Sequence, residues 1–462
     1  MTIDGKSVAH IDDFDVINPS TGEAFAQAPD CDADQLDAAF DAAARAYGDW
    51  RTDLALRRET LNAAADAIVA NAESLAQVLT LEQGRPVNQS VIELHASAAW
   101  FRYFAALDLP AEVIQDDATT YAEVTRKPIG VVAAITPWNF PLLLASWKLA
   151  PALLAGNTVV LKPSPYTPLA TLALGAALRG VLPPGVLNVV SGRDPLGASM
   201  TEHPVPRKIS FTGSIATGKR VAAAAAGDLK RVTLELGGND PAILLDDIDP
   251  AAITEKLFQS AFGNNGQICS AIKRVYVHES RYDEVVEALT ERVRAAVVGD
   301  GFLDGVELGP IQNAPQYERV SQLVASAISD GATATTGGRP MDRPGYFFEP
   351  TVLVGAADGT AIVDEEQFGP ALPLIPFSRV EDVVAQANAT NFGLGASVWG
   401  ADTDRATSVA TQLDSGSVWV NTHMAVAPNL PFGGAKWSGI GVENGPWGYA
   451  AFTELQLVLR AR

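Results

Sequence analysis

Cysteine is scarce in this chain: there are two in 462 residues, Cys31 and Cys269. That density argues against a disulfide-stapled secreted scaffold and points to a reducing compartment, so a cytoplasmic protein is expected. Histidine is nearly as rare. His10, His95, His203, His278 and His423 show no metal-ligand spacing, and His278-Glu279 lacks the second histidine of a zincin helix, so no metal is expected. Positive charge is also short, with 33 Lys and Arg against 54 Asp and Glu and a formal net charge of −21. Such a chain repels nucleic acid and anionic membranes, and neither is expected as a partner. The most apolar stretch, Val131–Leu161, is broken by Pro137, Asn139, Pro141, Lys148 and Pro151, which does not suit a membrane span. The first residues show no basic segment followed by an apolar one, so no secretory signal is expected. Gly-x-Gly-x-x-Gly is absent, so any dinucleotide site must be a variant one.

What is present is ordinary globular material: 47% hydrophobic and 19% charged residues, in a chain long enough for two to four domains at roughly 100–200 residues each. Helical and strand-like signals alternate, the pattern of an α/β protein with a largely parallel sheet. Helical periodicity covers 33–80 and 85–108. Apolar runs at Gly130–Ile135, Thr158–Leu161, Val186–Val190, Lys208–Phe211 and Val232–Leu236 read as buried strands. A second alternation follows Gly237, with helix 250–262, strand Arg274–His278 and helix 281–298. A long Gly- and Pro-punctuated region then runs to about Pro376, before strands near Ala396–Trp399 and Ser417–Asn421. The tail Ala451–Arg460 reads as a strand with nothing after it to pair with, so an oligomer is expected.

The chemistry-bearing candidates are few. Cys269 lies among small and amide residues in Gly263-Asn264-Asn265-Gly266-Gln267-Ile268-Cys269-Ser270, which suits a nucleophile, although a buried structural cysteine fits the same segment. Glu235 ends an apolar strand before Gly237-Gly238, where partial burial would make it a usable general base; a strand-end glutamate in solvent is the plainer alternative. Thr136-Pro137-Trp138-Asn139-Phe140-Pro141 is a rigid turn that can aim the Asn139 amide at an oxyanion, or can merely join a strand to a helix. Gly213-Ser214-Ile215-Ala216-Thr217-Gly218-Lys219-Arg220 matches a phosphate-binding P-loop up to its last position, where Arg220 replaces the Ser or Thr that holds magnesium. A P-loop NTPase and a Cys–His hydrolase therefore stay open as rival classes.

Taken together and in order, these segments resemble the aldehyde dehydrogenase superfamily from about Val16 to the C-terminus. Leu161-Lys162-Pro163-Ser164, Glu365-Glu366-Gln367-Phe368-Gly369-Pro370 and Pro431-Phe432-Gly433-Gly434-x-Lys436-x-Ser438-Gly439 complete the likeness. The resemblance implies an aldehyde dehydrogenase-like fold: a Rossmann-like cofactor domain (1–115 and 129–236), an α/β catalytic domain (237–445) and a small β oligomerisation arm (116–128 and 446–462). It implies a homodimer or homotetramer that oxidises a small-molecule aldehyde to the acid with NAD, NADP being possible. Cys269 is the implied nucleophile, Asn139 the oxyanion donor and Glu235 the base that activates water.

Thr136, Trp138, Lys162, Ser164, Gly213, Ser214, Glu366 and Phe368 are the implied cofactor contacts. Phe140, Leu143, Leu144, Trp147, Ile268, Val426 and Phe432 are the implied substrate pocket; they carry no arginine for a substrate carboxylate, which favours aliphatic or aromatic aldehydes over semialdehydes. The presence of Glu235 favours hydrolysis over CoA acylation. Some positions depart from the family pattern. Pro165 stands where strict NAD users often place Glu. Gly441-Val442-Glu443 replaces a frequent Gly-Arg-Glu, so an Arg contact is lost there. Gly192-Arg193-Asp194-Pro195-Leu196-Gly197 lacks a middle glycine.

Overall fold

The computed structural model describes residues 1–9 and 12–462; His10 lies outside the described residues. Two large sheets organise the chain. The first, eight-stranded, runs in the order Gly439–Ile440, Arg231–Glu235, Lys208–Thr212, Val131–Ile135, Thr158–Lys162, Leu187–Val189, Thr2–Ile3, Lys6–Ser7. Its central strands pair in parallel and only the edges are antiparallel. Strands covered on both faces are buried along their length and read as near-continuous apolar runs, with any polar residue needing a partner inside. Accordingly every residue of Val131–Ile135, Thr158–Lys162 and Lys208–Thr212 is buried.

Strand Val131–Ile135 has Thr158–Lys162 on one side and Lys208–Thr212 on the other. Chain order reverses there, and in open α/β sheets ligands bind at the carboxyl ends of strands at such a switch point. Thr136–Pro141 and Gly213–Ser214 leave the sheet at those ends. Helix Pro141–Ala155 starts on Pro141, whose missing N–H costs nothing in a first turn, and stops at Gly156 with a left-handed φ of 96°.

The second sheet has seven strands, ordered Thr333–Thr336, Thr351–Val354, Ala371–Phe377, Ile272–His278, Asp240–Leu244, Gly395–Trp399, Ser417–Val420. It too is parallel apart from its first edge strand. Two of these strands, with part of a third, and the helix Ala314–Ser329 occupy the stretch that reads from sequence as Gly- and Pro-punctuated. Its prolines and glycines are punctuation between elements: Pro315 sits in the first turn of that helix, which Asn313 caps by accepting from Gln316 N. Helix Tyr282–Arg294 stops short of the expected residue 298.

The C-terminal tail is not left unpaired within the chain. Strand Thr453–Ala461 runs antiparallel to Thr120–Pro128 along its whole length, and Glu112–Asp116 completes a three-stranded sheet. The residue pattern alone could not show this, because the partner lies more than half the chain away. Among the described residues no helix is long and apolar enough to cross a membrane.

Candidate active site

The Cys269 turn is built by a backbone that few residues tolerate. Helix Pro250–Phe262 runs into Asn264 (φ 48°), Asn265 (φ 59°) and Gly266 (φ 73°), three successive left-handed residues. Asparagine visits that region more readily than other L-residues, and a Cβ on Gly266 would lie 2.3 Å from Gly369 O. Gln267 then pins the turn: its Oε1 accepts from Gln312 N at 2.8 Å and its Nε2 donates to Asn264 O at 2.9 Å. Cys269 arrives at the base of a cleft of about 550 Å³. Desolvation pushes its thiol up to about 12, with nearby Lys273 opposing and the carboxyls of Glu235, Asp240 and Glu366 adding to the rise.

Asn139 lines the same cleft. Its Nδ2 donates to Gln267 O at 3.0 Å, which uses one amide N–H and fixes the direction of the other. Its backbone carbonyl accepts from Asn264 Nδ2 at 3.1 Å and from Arg85 Nη2. Arg85 is itself held by Glu93 at 2.7 Å, and Glu93 Oε1 accepts from Leu142 N and Leu143 N at 2.9 Å each. A buried ion pair thus cements the turn that carries Asn139 to the start of the helix after it.

Glu235 ends strand Arg231–Glu235, 3% exposed, and neither of its oxygens has a hydrogen-bond partner. Burial holds its carboxyl well above the ordinary range; Glu443 adds repulsion and Lys148 opposes both. Lys148 Nζ donates to Glu443 Oε1 at 2.7 Å inside the protein. Neither residue is singled out by the sequence reading, which takes the Glu443 segment only as a lost arginine contact. The signal was available: a lysine inside an otherwise apolar helix needs a buried carboxylate somewhere.

Trp138, Gly213, Ser214, Glu366 and Phe368 also line the cleft of Cys269, joined by Gln316, Arg319 and Phe392, which the sequence did not single out. Trp138 meets the Phe368 ring edge-on at 5.2 Å, and Phe368 is itself left-handed at φ 51°. Thr136 is buried at the adjoining strand end. The hydroxyls of Thr136 and Thr212 are both buried without a partner, two orphaned polar groups at the switch point that a polar ligand can satisfy. Lys162 and Ser164 do not line this cleft. Lys162 Nζ donates to Pro163 O at 3.2 Å, and Ser164 Oγ accepts from Tyr166 N at 3.3 Å.

The P-loop reading fails on geometry as well as on Arg220. Ser214 caps helix Ile215–Ala226 by accepting from Thr217 N, and Lys219 Nζ lies 3.5 Å above the Trp437 ring. Neither Gly213 nor Gly218 has a left-handed φ, so the backbone nest that cradles phosphates is not formed. Gly218 is small because a Cβ would strike Leu236 at 2.4 Å, a packing reason rather than a phosphate one. A Cys–His pair fails too. His423 Nε2 reaches Ser270 O at 2.8 Å, and burial holds it down to about 3, so it is neutral and engaged.

On the far side of the thiol, Leu144, Trp147 and Phe432 share one apolar core, against which Phe140, Leu143, Val426 and Cys269 pack. The rings of Trp147 and Phe432 lie 5.2 Å apart. Ile268 stands outside that cluster, beside Gly263. Val426 and Phe432 also line a smaller cavity of about 230 Å³ with Trp419 and Leu430.

Comparison with known proteins agrees with this geometry. Residues 7–458 match the aldehyde dehydrogenase family. Phenylacetaldehyde dehydrogenase of Pseudomonas fluorescens is 41% identical over 449 residues, covering 94% of this chain and 89% of the relative. Rat retinaldehyde dehydrogenase 3 is 41% identical over 455 residues, 96% of this chain and 89% of its own. The NAD+ complex of an aldehyde dehydrogenase from Bacillus cereus superposes with a TM-score of 0.97 at 36% identity, covering 100% of this chain and 96% of that one.

Proposed function

The chain belongs to the aldehyde dehydrogenase family, and from that premise we propose that it oxidises an apolar aldehyde to the carboxylic acid through a thioester on Cys269, with NAD as acceptor. The observation that carries the proposal is the meeting of Cys269 and Asn139 with Trp138, Glu366 and Phe368 in one cleft, beside the buried Glu235. NAD fits the cleft: it lies at the switch point, unpartnered hydroxyls stand there, and Ser214 opens a helix N-terminus. Glu366 would hold the nicotinamide ribose and Phe368 would pack beside the ring, while Trp138 and Ser214 would lie near the pyrophosphate. When bound, NAD supplies the two-electron acceptor. With Pro165 in place of a carboxylate, NADP is tolerated as well.

The Cys269 thiolate attacks the carbonyl carbon, and the oxyanion that forms is met by the free N–H of Asn139 and the backbone N–H of Cys269. One such donor is worth about 3 to 4 kcal/mol in the transition state. Loss of two electrons and a proton from the tetrahedral carbon leaves the acyl group on sulfur. Glu235 takes a proton from water, which attacks that thioester and releases the acid and the thiol. Its raised pKa suits the task, since a base must be unprotonated yet strong enough near working pH.

The apolar wall of Phe140, Leu143, Leu144, Trp147, Val426 and Phe432, with Ile268 outside it, favours aromatic or aliphatic aldehydes, as do the phenylacetaldehyde and retinaldehyde named for the relatives. Semialdehyde oxidation and CoA acylation are the alternatives. Absorbance of reduced nicotinamide, followed over a broad aldehyde panel with and without CoA, tests all three. No aldehyde-dependent reduction of NAD or NADP would sink the reading, and Cys269→Ala should abolish turnover.

The proposal includes a division into cofactor-binding residues 1–115 and 129–236, catalytic residues 237–445 and an arm of 116–128 with 446–462. A cytoplasmic homo-oligomer, dimer or tetramer, is part of the same reading. Strand Thr453–Ala461 is an open sheet edge and carries exposed Leu455, Leu457, Val458 and Leu459. Sedimentation that gave only monomer would remove that part.

A further inference from the structure

Lys273 takes part in none of the steps above, yet it touches both halves of the site. It is the second residue of strand Ile272–His278 and is nearly fully buried. Its Nζ donates to Cys269 O at 2.7 Å and to Ile268 O at 2.8 Å, and lies 3.5 Å from Glu366 Oε1. An ammonium has three donors and no acceptor, so these three oxygens account for it. Glu366 Oε1 in turn accepts from Gly238 N at 3.1 Å, and Lys273 Nζ sits 5.8 Å from the centre of the Phe368 ring.

The surroundings leave this charge without a substitute. Three carboxyls bear on the thiol: Glu235 at the end of its strand, Asp240 at the start of strand Asp240–Leu244, and Glu366 from the loop before Ala371. His423, facing Ser270 O and 3.8 Å from Asp240, is neutral. Arg274 turns away to Asn239 O and Ala387 O; Arg319, in the cleft lining, pairs with Glu365 and acts on Glu366 but is not among the charges that bear on the thiol.

We infer that Lys273 is a positioning residue that locks the nucleophile turn to the cofactor-side carboxylate Glu366 and gives the Cys269 thiolate its fixed countercharge. The inference rests on the proposed roles of Cys269 and Glu366. Without the ammonium, the three carboxyls act on the thiol uncompensated, and Glu366 is left with the bond from Gly238 N alone on that oxygen.

The test is the rate of Cys269 alkylation by iodoacetamide at one fixed, mildly alkaline pH in the full-length, cofactor-free enzyme, with thermal melting as the control for folding. Lys273→Met should slow alkylation about tenfold, the loss of thiolate that a rise of about one pH unit produces below the midpoint. Lys273→Arg, keeping the charge, should return most of that rate, and Lys273→Met should raise the KM for NAD. A Lys273→Met rate equal to the wild type, in protein that melts normally, overturns the inference. If Lys273→Met does not fold, Glu366→Gln decides: removing its charge should speed alkylation, and an unchanged rate overturns the coupling. Turnover by Cys269→Ala is a separate outcome, which would remove the thioester reading itself.

Discussion

Two buried cation–carboxylate pairs, each at 2.7 Å, stand behind different members of the site. Arg85–Glu93 lies behind Asn139, and its atoms also bond the Asn139 carbonyl, Gln83 and the first amides of a helix. Lys148–Glu443 lies behind Glu235 and leaves that carboxyl with no hydrogen bond at all. A pair that satisfies its neighbours makes a rigid scaffold. A pair that bonds elsewhere, here to Ser210, and reaches the unsatisfied Glu235 carboxyl only through its field would poise it as the proposed base. Buried ion pairs contribute little net stability, so their value here lies in what each does to the residue in front of it.

The sharpest break in this contrast is expected at the poised side. Glu235→Gln should lower steady-state turnover by about 10²- to 10⁴-fold, the usual worth of a general base. A rapid first turnover of reduced nicotinamide should survive, because acylation does not need Glu235. Loss of that burst, seen by stopped flow, would place Glu235 before the thioester instead.

The scaffold side should fail differently. Arg85→Met strands Glu93 as a buried, unpaired charge, at a cost of about 3 to 5 kcal/mol in unfolding free energy. Its kcat should fall through misplacement of Asn139. Denaturant melts with the wild-type midpoint would refute the scaffold role.

The smallest effect separates the two pairs by sign. Repulsion from Glu443 is the second cause, after burial, that raises Glu235. Glu443→Gln removes it, so Glu235 should lose its proton at lower pH and the acid limb of the kcat profile should move down. An acid limb that stays put or moves up would show that Glu443 does not poise the base.

Much of this was legible from sequence, for physical reasons that also mark where it stopped. Glu235, Cys269 and Asn139 each sit where a strand or helix ends at glycine or proline, and such punctuation survives in one dimension. Lys148 and Glu443 carry no such mark, since their meaning lies in a contact between a first-half helix and a C-terminal loop. Lys273 falls just before the strand expected from Arg274, and nothing marks it until the turn folds back over it. The helix Ala314–Ser329 was hidden by the density of glycine and proline around it, although Asn313 and Pro315 form a regular helix start. The terminal strand was legible as a strand, and the resemblance grouped it with 116–128, but nothing in the residues themselves fixed the pairing or its register.

That terminal strand has a consequence for how the protein comes into being. Proteins are made from the N-terminus onward. A nascent chain that has reached Leu430 already carries Cys269, Asn139 and Glu235. It lacks Glu443, the edge strand Gly439–Ile440 that pairs with Arg231–Glu235, and the strand that zips onto Thr120–Pro128. Pairing over such separations is slow because the intervening loop must close first. The chemistry-bearing residues are therefore made before their surroundings, and until residues 439–461 have emerged and paired, Glu235 lacks both its edge strand and Glu443.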